Sequence, residues 1–353
     1  MKSKDTINGL SLFANVGIGE TYIHKHGVEI KVANELLKDR CDFYEYLYPD
    51  TEVICGDISN KKIYKHIIKM AKKYECKFIM ATPPCQGMSV AGKKDSQDER
   101  NLLIKYVIDV IKDLCPKFIL IENVPSVLTT DIEISSKIIS IKDYIYENLS
   151  KLGYKVNHAV IDAANYGTPQ YRRRAIFLAS NVDYWNFPEK QKQITLKEAI
   201  GHLPSLESGE DSGIPFHKAK THNERHIECM SHTPEGKSAF DNVIHYPKRL
   251  DGKKIVGYNT TYKRMHWDKP AYTVTMANGA ISSQNNVHPG RPLGDGLYSD
   301  ARVLTLKELF IVTGLPDEWQ PPPWASDSLV RKVIGECLLP KLVERLLETM
   351  PKN

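Results

Sequence analysis

The chain has 353 residues, 41% of them hydrophobic and 26% charged, with 20 Pro, 21 Gly and a formal net charge of +5. That is enough chain to bury a substantial core, as one large domain or a large and a small one, and its composition is that of an ordinary globular protein rather than a disordered or repetitive one. No apolar run approaches the roughly 20 residues a bilayer span requires, and the N-terminus MKSKDTINGLSLF has no signal-peptide core, so a soluble, cytoplasmic protein is expected.

Along the first half, apolar runs of β character alternate with helical periodicity. Strands are predicted at 10–13, 29–33, 53–55, 78–81, 118–122 and 156–161, with 175–179 following. Segments 61–73 (KKIYKHIIKMAKK) and 102–114 repeat apolar residues at intervals of three and four, as helices do. Crossovers of this length imply parallel strands and a wound α/β sheet. Beyond about Asn181 the pattern dissolves into a stretch rich in Gly, Pro, His, Asn and Tyr that runs to about Asp300. Helical character returns at 304–313 and again at 328–350, the latter crossed by Pro340. The expected division is a first domain over 1–180, a smaller loop-rich domain over 181–325, and a C-terminal helix over 326–353 that returns to the first.

The seven cysteines are dispersed with no CxxC pair, which argues against a disulfide framework and against a zinc site. His217, His222, His226 and His232 have no clean ligand partners beside cysteines, and no metal is expected. Between Pro215 and Arg264 ten Lys or Arg stand against five Asp or Glu, a local basic excess that fits a polyanionic partner, although such a segment is more often a solvated face.

The first strand runs into LFANVGIGE. A strand followed by a glycine-bearing turn and a helix lets the backbone approach a ligand closely, and Gly17 and Gly19 supply that freedom. Asn15 stands where a first glycine is expected and tolerates left-handed geometry better than most residues. Glu35, at the end of the second strand, is suited to accept hydrogen bonds from ribose hydroxyls. Asp57, after the third, could reach an adenine amino group, with Ile58 against the ring. Surface acids at strand ends would look the same, but three consecutive strand ends with suitable groups favour a nucleoside pocket. A nicotinamide dehydrogenase would share these features, so the chemistry must decide.

The fourth strand leads into ATPPCQGMS. Pro83 and Pro84 stiffen the chain before Cys85, at the carboxyl end of the sheet. A buried inert cysteine is the common case, yet a Cys between Pro-Pro and Gln-Gly at a strand exit is not a usual core position. The fifth strand, FILIENV, ends in Glu122, on the same rim. A thiolate and a carboxyl group there suit attack on C6 of a pyrimidine while N3 is protonated, provided partial burial helps the carboxyl group to hold its proton.

PPCQ at 83–86, ENV at 122–124 and QYRRR at 170–174 resemble three diagnostic motifs of the DNA cytosine-5 methyltransferase family, in the family's order and at about its spacing. The FANVGIG turn, DERNLL at 98–103, WDKPAYTVT with HPGR, ARVLTLKEL with GLPDEW, and IGECLLP resemble further motifs of that family, so the likeness runs from about Leu10 to Leu346, interrupted by a variable region between Asn181 and Tyr262. Asn15 and Ile18 stand where the family usually has glycines, and Glu336 where it usually has Asn.

The resemblance implies a Rossmann-like S-adenosylmethionine-dependent sheet with a smaller target-recognition domain. It implies Cys85 as the nucleophile toward C6, Glu122 as the proton donor to N3, and Arg172 and Arg174 holding the base carbonyl and nearby phosphates. Phe13, Asn15, Gly17, Glu35, Asp57, Ile58, Pro84 and Leu103 would surround the cofactor. The target base must leave the helix stack to be reached. The segment QGMSVAGKKDSQ at 86–97 fits a loop that closes on DNA, with Gln86 and Ser89 as DNA contacts. Lys248, Arg249, Lys253, Lys254 and Arg264 would meet DNA from the second domain. A monomeric bacterial restriction–modification enzyme acting on double-stranded DNA, with a cognate restriction endonuclease as functional counterpart, is the expectation. The same chemistry on tRNA is the alternative.

Overall fold

A computed structural model describes residues 6–84, 102–134 and 136–352. It divides into two compact units, Met1–Asp162 with Arg173–Lys190 and Pro340–Asn353, and Ala163–Arg172 with Gln191–Leu339. Relative to the sequence expectation, 163–172 and 326–339 go with the second unit, and only the last helix returns to the first.

The first unit is built on a seven-stranded sheet. Its strands are β1 (Ile7–Leu12), β2 (Val28–Glu35), β3 (Glu52–Cys55), β4 (Phe78–Ala81), β5 (Phe118–Asn123), β8 (Lys155–Asp162) and β9 (Arg173–Ser180), in the order β3-β2-β1-β4-β5-β9-β8. Every residue of β4 and β5 is buried, which is why both read as unbroken apolar runs instead of alternating ones. The helices α1 (Lys38–Leu47), α2 (Lys61–Lys73), α3 (Leu103–Leu114) and α4 (Ile141–Lys151) connect strands of this sheet. In α2, the Asn60 side chain caps the Lys62 N–H, and Ile67, Met70 and Ala71 form the buried face. In α3, Ile104, Val107, Ile108, Val110 and Ile111 are buried, and the helix ends on Cys115 at φ 44. A small hairpin, β6 (Asp131–Ile134) with β7 (Lys137–Ser140), lies between β5 and α4 and was not foreseen.

Strands β1 to β5 are mutually parallel, but β9 pairs antiparallel with both β5 and β8. The expectation of parallel strands throughout is corrected here. Only 163–172 join β8 to β9, with no crossover helix, so the chain can only reverse. The chain winds outward from β1 toward β3 on one side and from β4 toward β5 on the other. The carboxyl ends of β1 and β4 therefore flank a switch point, where ligands gather in open α/β sheets.

Pro340 divides the predicted C-terminal helix into α8 (Asp327–Glu336), in the second unit, and α9 (Pro340–Glu348), in the first. Proline lacks the N–H an interior position needs but is tolerated in a first turn, so it opens α9 where it would have broken a longer helix. Within the first unit, the fully buried Trp185 packs edge-on against Phe118 and donates its indole N–H to the Leu346 carbonyl at 2.9 Å, docking α9 on the sheet core.

The second unit is loop-rich, with α5 (Leu196–Ile200), α6 (Glu224–Ser231), α7 (Leu306–Thr313), α8 and the short pair β10 (Pro292–Gly294) and β11 (Leu297–Tyr298). One apolar cluster of this unit gathers Cys229, Met230, Ala239, Tyr262, Ile281, Val287, Ala301 and Val303. A buried ionic network supplements it, in which Arg302 grips both carboxylate oxygens of Glu308 at 2.8 and 2.9 Å and reaches Asp300 at 2.8 Å. No helix among the described residues is long and apolar enough to cross a membrane.

Candidate active site

The turn after β1 is a series of left-handed residues: Phe13 at φ 58, Asn15 at φ 50 and Gly17 at φ 75. Asn15 thus takes the conformation expected of it, and its N–H donates to Glu35 Oε2 at 2.9 Å. The other Glu35 oxygen accepts from the Leu36 and Leu37 N–H groups at 2.9 and 3.0 Å, so this buried carboxylate clamps the turn to the end of β2. Gly17 is required for a reason the sequence did not disclose. A Cβ there would lie 2.4 Å from the Tyr48 ring, whose hydroxyl donates to the Gly17 carbonyl at 2.7 Å. Where a helix was expected, two short 3-10 turns follow, Ile18–Glu20 and Ile23–His26, because Gly17, Gly19 and Gly27 interrupt any α-helical run.

Asp57, after β3, is exposed and accepts the Ser59 N–H at 2.8 Å with Oδ1, leaving the carboxylate open to solvent. Ile58, expected against a nucleobase, is buried in the sheet core. Phe13 and Leu103 are partly buried at the edge of that core. An open carboxylate at Asp57, a clamped one at Glu35 and partly exposed apolar groups at Phe13, Pro84 and Leu103 fit the polar and apolar parts of a nucleoside-bearing cofactor.

The reactive rim is built by β4 and β5. The Asn123 amide donates to the Pro83 carbonyl at 3.1 Å, while its oxygen accepts the Val124 N–H at 2.8 Å. This buried asparagine ties the segment that leads toward Cys85 to the strand that carries Glu122; the sequence reading passed over it, although it stands within ENV. Cys85, Gln86 and Ser89 lie outside the described residues. Burial pushes the thiols of Cys76 and Cys229 up to about 12, and that of Cys41 upward too, so none of these three is a thiolate near neutrality.

Glu122 is buried and meets Arg174, from β9, with Nε to Oε1 at 2.7 Å. The antiparallel register that pairs Glu122 with Ile176 across β5 and β9 brings the two side chains together, and the Arg174 Nη1 further donates to the Arg173 carbonyl at 2.8 Å. Arg172, two residues earlier, is different. It belongs to the second unit, is buried, and donates to the carbonyls of Val274 and Gly335 at 3.0 Å each. The expectation of a direct grip on base or phosphate is corrected for Arg172, whose guanidinium joins the PAYTVT segment to the end of α8. Gln170 acts alongside it, accepting the Val274 N–H at 3.1 Å and donating to the Val312 carbonyl at 3.2 Å.

Of the predicted DNA contacts in the second unit, Lys248, Arg249, Lys253 and Lys254 are exposed. Arg264 is not. It is wholly buried, it donates to the carbonyls of Met230, His288 and Asp300, and a Cβ on Gly290 would lie 2.2 Å from its Nη1. No phosphate can reach it, so the sequence reading of Arg264 is corrected to a structural role.

Comparison with known proteins accords with this geometry. The profile of the C-5 cytosine-specific DNA methylase family matches residues 7–352. Type II methyltransferase M1.HgaI of Avibacterium volantium is 48% identical over 349 residues, which span 97% of this chain and 98% of that protein. Type II methyltransferase M1.HphI of Haemophilus parahaemolyticus is 31% identical over 353 residues, spanning 97% of this chain and 86% of that one. A crystallised variant of Spodoptera frugiperda DNMT2 has the same fold, with a TM-score of 0.65 at 16% identity over 98% of this chain and 99% of that one. Matched by the family profile over almost its whole length, the chain belongs to the C-5 cytosine-specific DNA methylases and is a DNA cytosine-5 methyltransferase.

Proposed function

We propose that this enzyme methylates C5 of a cytosine within a specific double-stranded DNA sequence, through a covalent bond between Cys85 and C6 of a flipped-out base, as the modification enzyme of a type II restriction–modification system. The observation that carries the mechanism is the rim of β4 and β5, where Asn123 tethers Pro83 and Arg174 fixes the Glu122 carboxyl group.

The Cys85 thiolate adds to C6, and the ring electrons displaced toward N3 take up a proton from Glu122. C5 then carries electron density it lacks in free cytosine. S-adenosylmethionine, when bound, supplies an electrophilic sulfonium methyl group to that carbon. Glu35 and Asp57 would hold its hydroxyl and amino groups, with Phe13, Pro84 and Leu103 against its apolar parts. A base or water takes the C5 proton, the S–C6 bond breaks with its electrons returning to sulfur, and N3 gives its proton back to Glu122, which restores the ring, the thiolate and the acid. Arg174 keeps Glu122 oriented throughout, and its delocalised guanidinium has donors left for the base carbonyl.

Labelled S-adenosylmethionine incubated with duplex DNA and with tRNA tests the substrate; incorporation into tRNA alone would overturn the assignment. Duplex DNA carrying 5-fluorocytosine at target sites tests the mechanism, since fluorine at C5 cannot leave as a proton does. A covalent complex is expected with the wild-type protein and none with Cys85→Ala. An equally trapped mutant would remove Cys85 from its role.

A further inference from the structure

In the second unit, residues 246–255 form a closed hairpin. The Arg249 N–H donates to the Lys253 carbonyl at 2.8 Å, the Ile255 N–H to the Pro247 carbonyl at 2.9 Å, and Lys248 bridges Lys254 across the pair. Its three-residue tip, Leu250-Asp251-Gly252, has the Gly252 N–H on the Arg249 carbonyl at 3.0 Å and Gly252 at φ 80, the left-handed position that lets such a loop close. The root is fixed to α6 and its surroundings. The Asn242 amide donates to the carbonyls of Cys229 and His245, His245 bonds Glu228 at 3.0 Å and stacks on His232 at 3.6 Å, and Asn259 bonds Asp241 at 3.1 Å on the returning strand.

The hairpin and the chain that flanks it on either side display apolar side chains in a way unusual for a free surface. Val243, Ile244, Leu250, Val256 and Tyr258 are all between 69% and 93% exposed within sixteen residues. Leu250 stands at the tip and the other four on the flanking chain; scattered exposed apolar groups need no explanation, but a cluster of them along one short rooted stretch marks a contact surface. Cations surround them. The Tyr246 ring lies beneath both Lys248 Nζ and Lys254 Nζ, at 4.9 and 4.7 Å, which holds two ammonium groups on the same ring. Asp251 faces Lys253 at 3.7 Å, so Lys248, Arg249 and Lys254 are the cations left for an anionic partner. An apolar tip between fixed cations complements duplex DNA, which presents thymine methyls and base edges within a groove lined by phosphates.

We infer that the 246–255 hairpin is a sequence-reading arm, with Leu250 against base edges and Lys248 and Lys254 on the flanking phosphates. This rests on the DNA substrate proposed above, and it separates two kinds of side chain that otherwise look like one basic patch. The phosphate contacts would set affinity without regard to sequence, whereas Leu250 would set preference at a base pair.

The test uses the full-length enzyme on duplex DNA libraries randomised through and around the target, with methylated sites read by bisulfite sequencing. Leu250→Ala is expected to relax or shift preference at one or two positions by about tenfold. Lys248→Ala with Lys254→Ala should instead weaken binding to all sequences alike and lower the slope of log affinity against log salt by about 2, while Lys248→Arg with Lys254→Arg retains both. Thermal unfolding of each variant should match the wild type, because the substituted side chains are exposed. A Leu250→Ala enzyme with an unchanged site spectrum overturns the inference while leaving the methyltransferase reading intact. A wild-type enzyme that methylates no DNA in the library would fell both.

Discussion

Replacing Asn123 by Ala probes how the reactive rim is assembled. The substitution removes the donor to the Pro83 carbonyl and the acceptor of the Val124 N–H, both at a buried residue. Pro83 is itself buried, so its carbonyl is left without that partner, at a cost of about 1–3 kcal/mol for such an orphaned group. If that energy holds the chain that runs into Cys85 in its reactive arrangement, then at 1.36 kcal/mol per factor of ten the methyl-transfer rate falls by a factor of about 5 to 160. The assay is single-turnover methylation at saturating S-adenosylmethionine and duplex DNA, with cofactor affinity measured separately and expected to change little. Asn123→Asp keeps an acceptor for Val124 but offers Pro83 no donor, so a loss of the same order is expected. If both variants transfer methyl within twofold of wild type while folded, the tether does not position the nucleophile segment and the reasoning fails.

Glu122→Gln retains shape but has no carboxyl proton to supply to N3, so turnover should drop about 100- to 10,000-fold; a loss under tenfold would remove Glu122 as proton donor. Burial raises the carboxyl of Glu20 from 4.5 to about 7, against the hydrogen bond it accepts from Tyr44. The folded state therefore holds a proton that the unfolded state releases, and this group makes stability fall between about pH 4.5 and 7, by roughly 3 kcal/mol in all. Urea melts of Glu20→Gln at pH 5 and pH 8 should lack that fall relative to wild type, and an identical decline in both proteins would contradict the assignment. Arg264→Gln should destabilise the protein by more than about 3 kcal/mol, since it orphans several buried carbonyls at once, yet leave the salt dependence of DNA affinity in the surviving folded fraction unchanged. A reduced salt slope would return Arg264 to the DNA surface.

Much of this enzyme is legible in its amino-acid sequence. The strands over 78–81 and 118–122 announced themselves because burial on both faces makes them continuously apolar, and the helix over 61–73 because one buried face repeats at three and four. Cys85, Glu122 and the arginine cluster were visible as motifs, since side-chain chemistry at a strand exit is local information. Direction and partnership were not local. That β9 runs against β5, and so delivers Arg174 to Glu122, depends on the absence of a crossover helix between β8 and β9. The three arginines of 172–174 look interchangeable in the sequence. Yet Arg172, just before β9, is absorbed into the interior of the second unit, while Arg174, within β9, pairs with Glu122 of the first unit to which it belongs, because the unit boundary falls between them. Likewise, Arg264 and Lys254 are both cations of one basic segment, but only packing determines that one is walled in by Gly290 and backbone carbonyls and the other stands on a tyrosine ring in solvent. Charge is written in the sequence, whereas which charges meet water, carbonyls or a ligand is settled by contacts between residues distant along the chain.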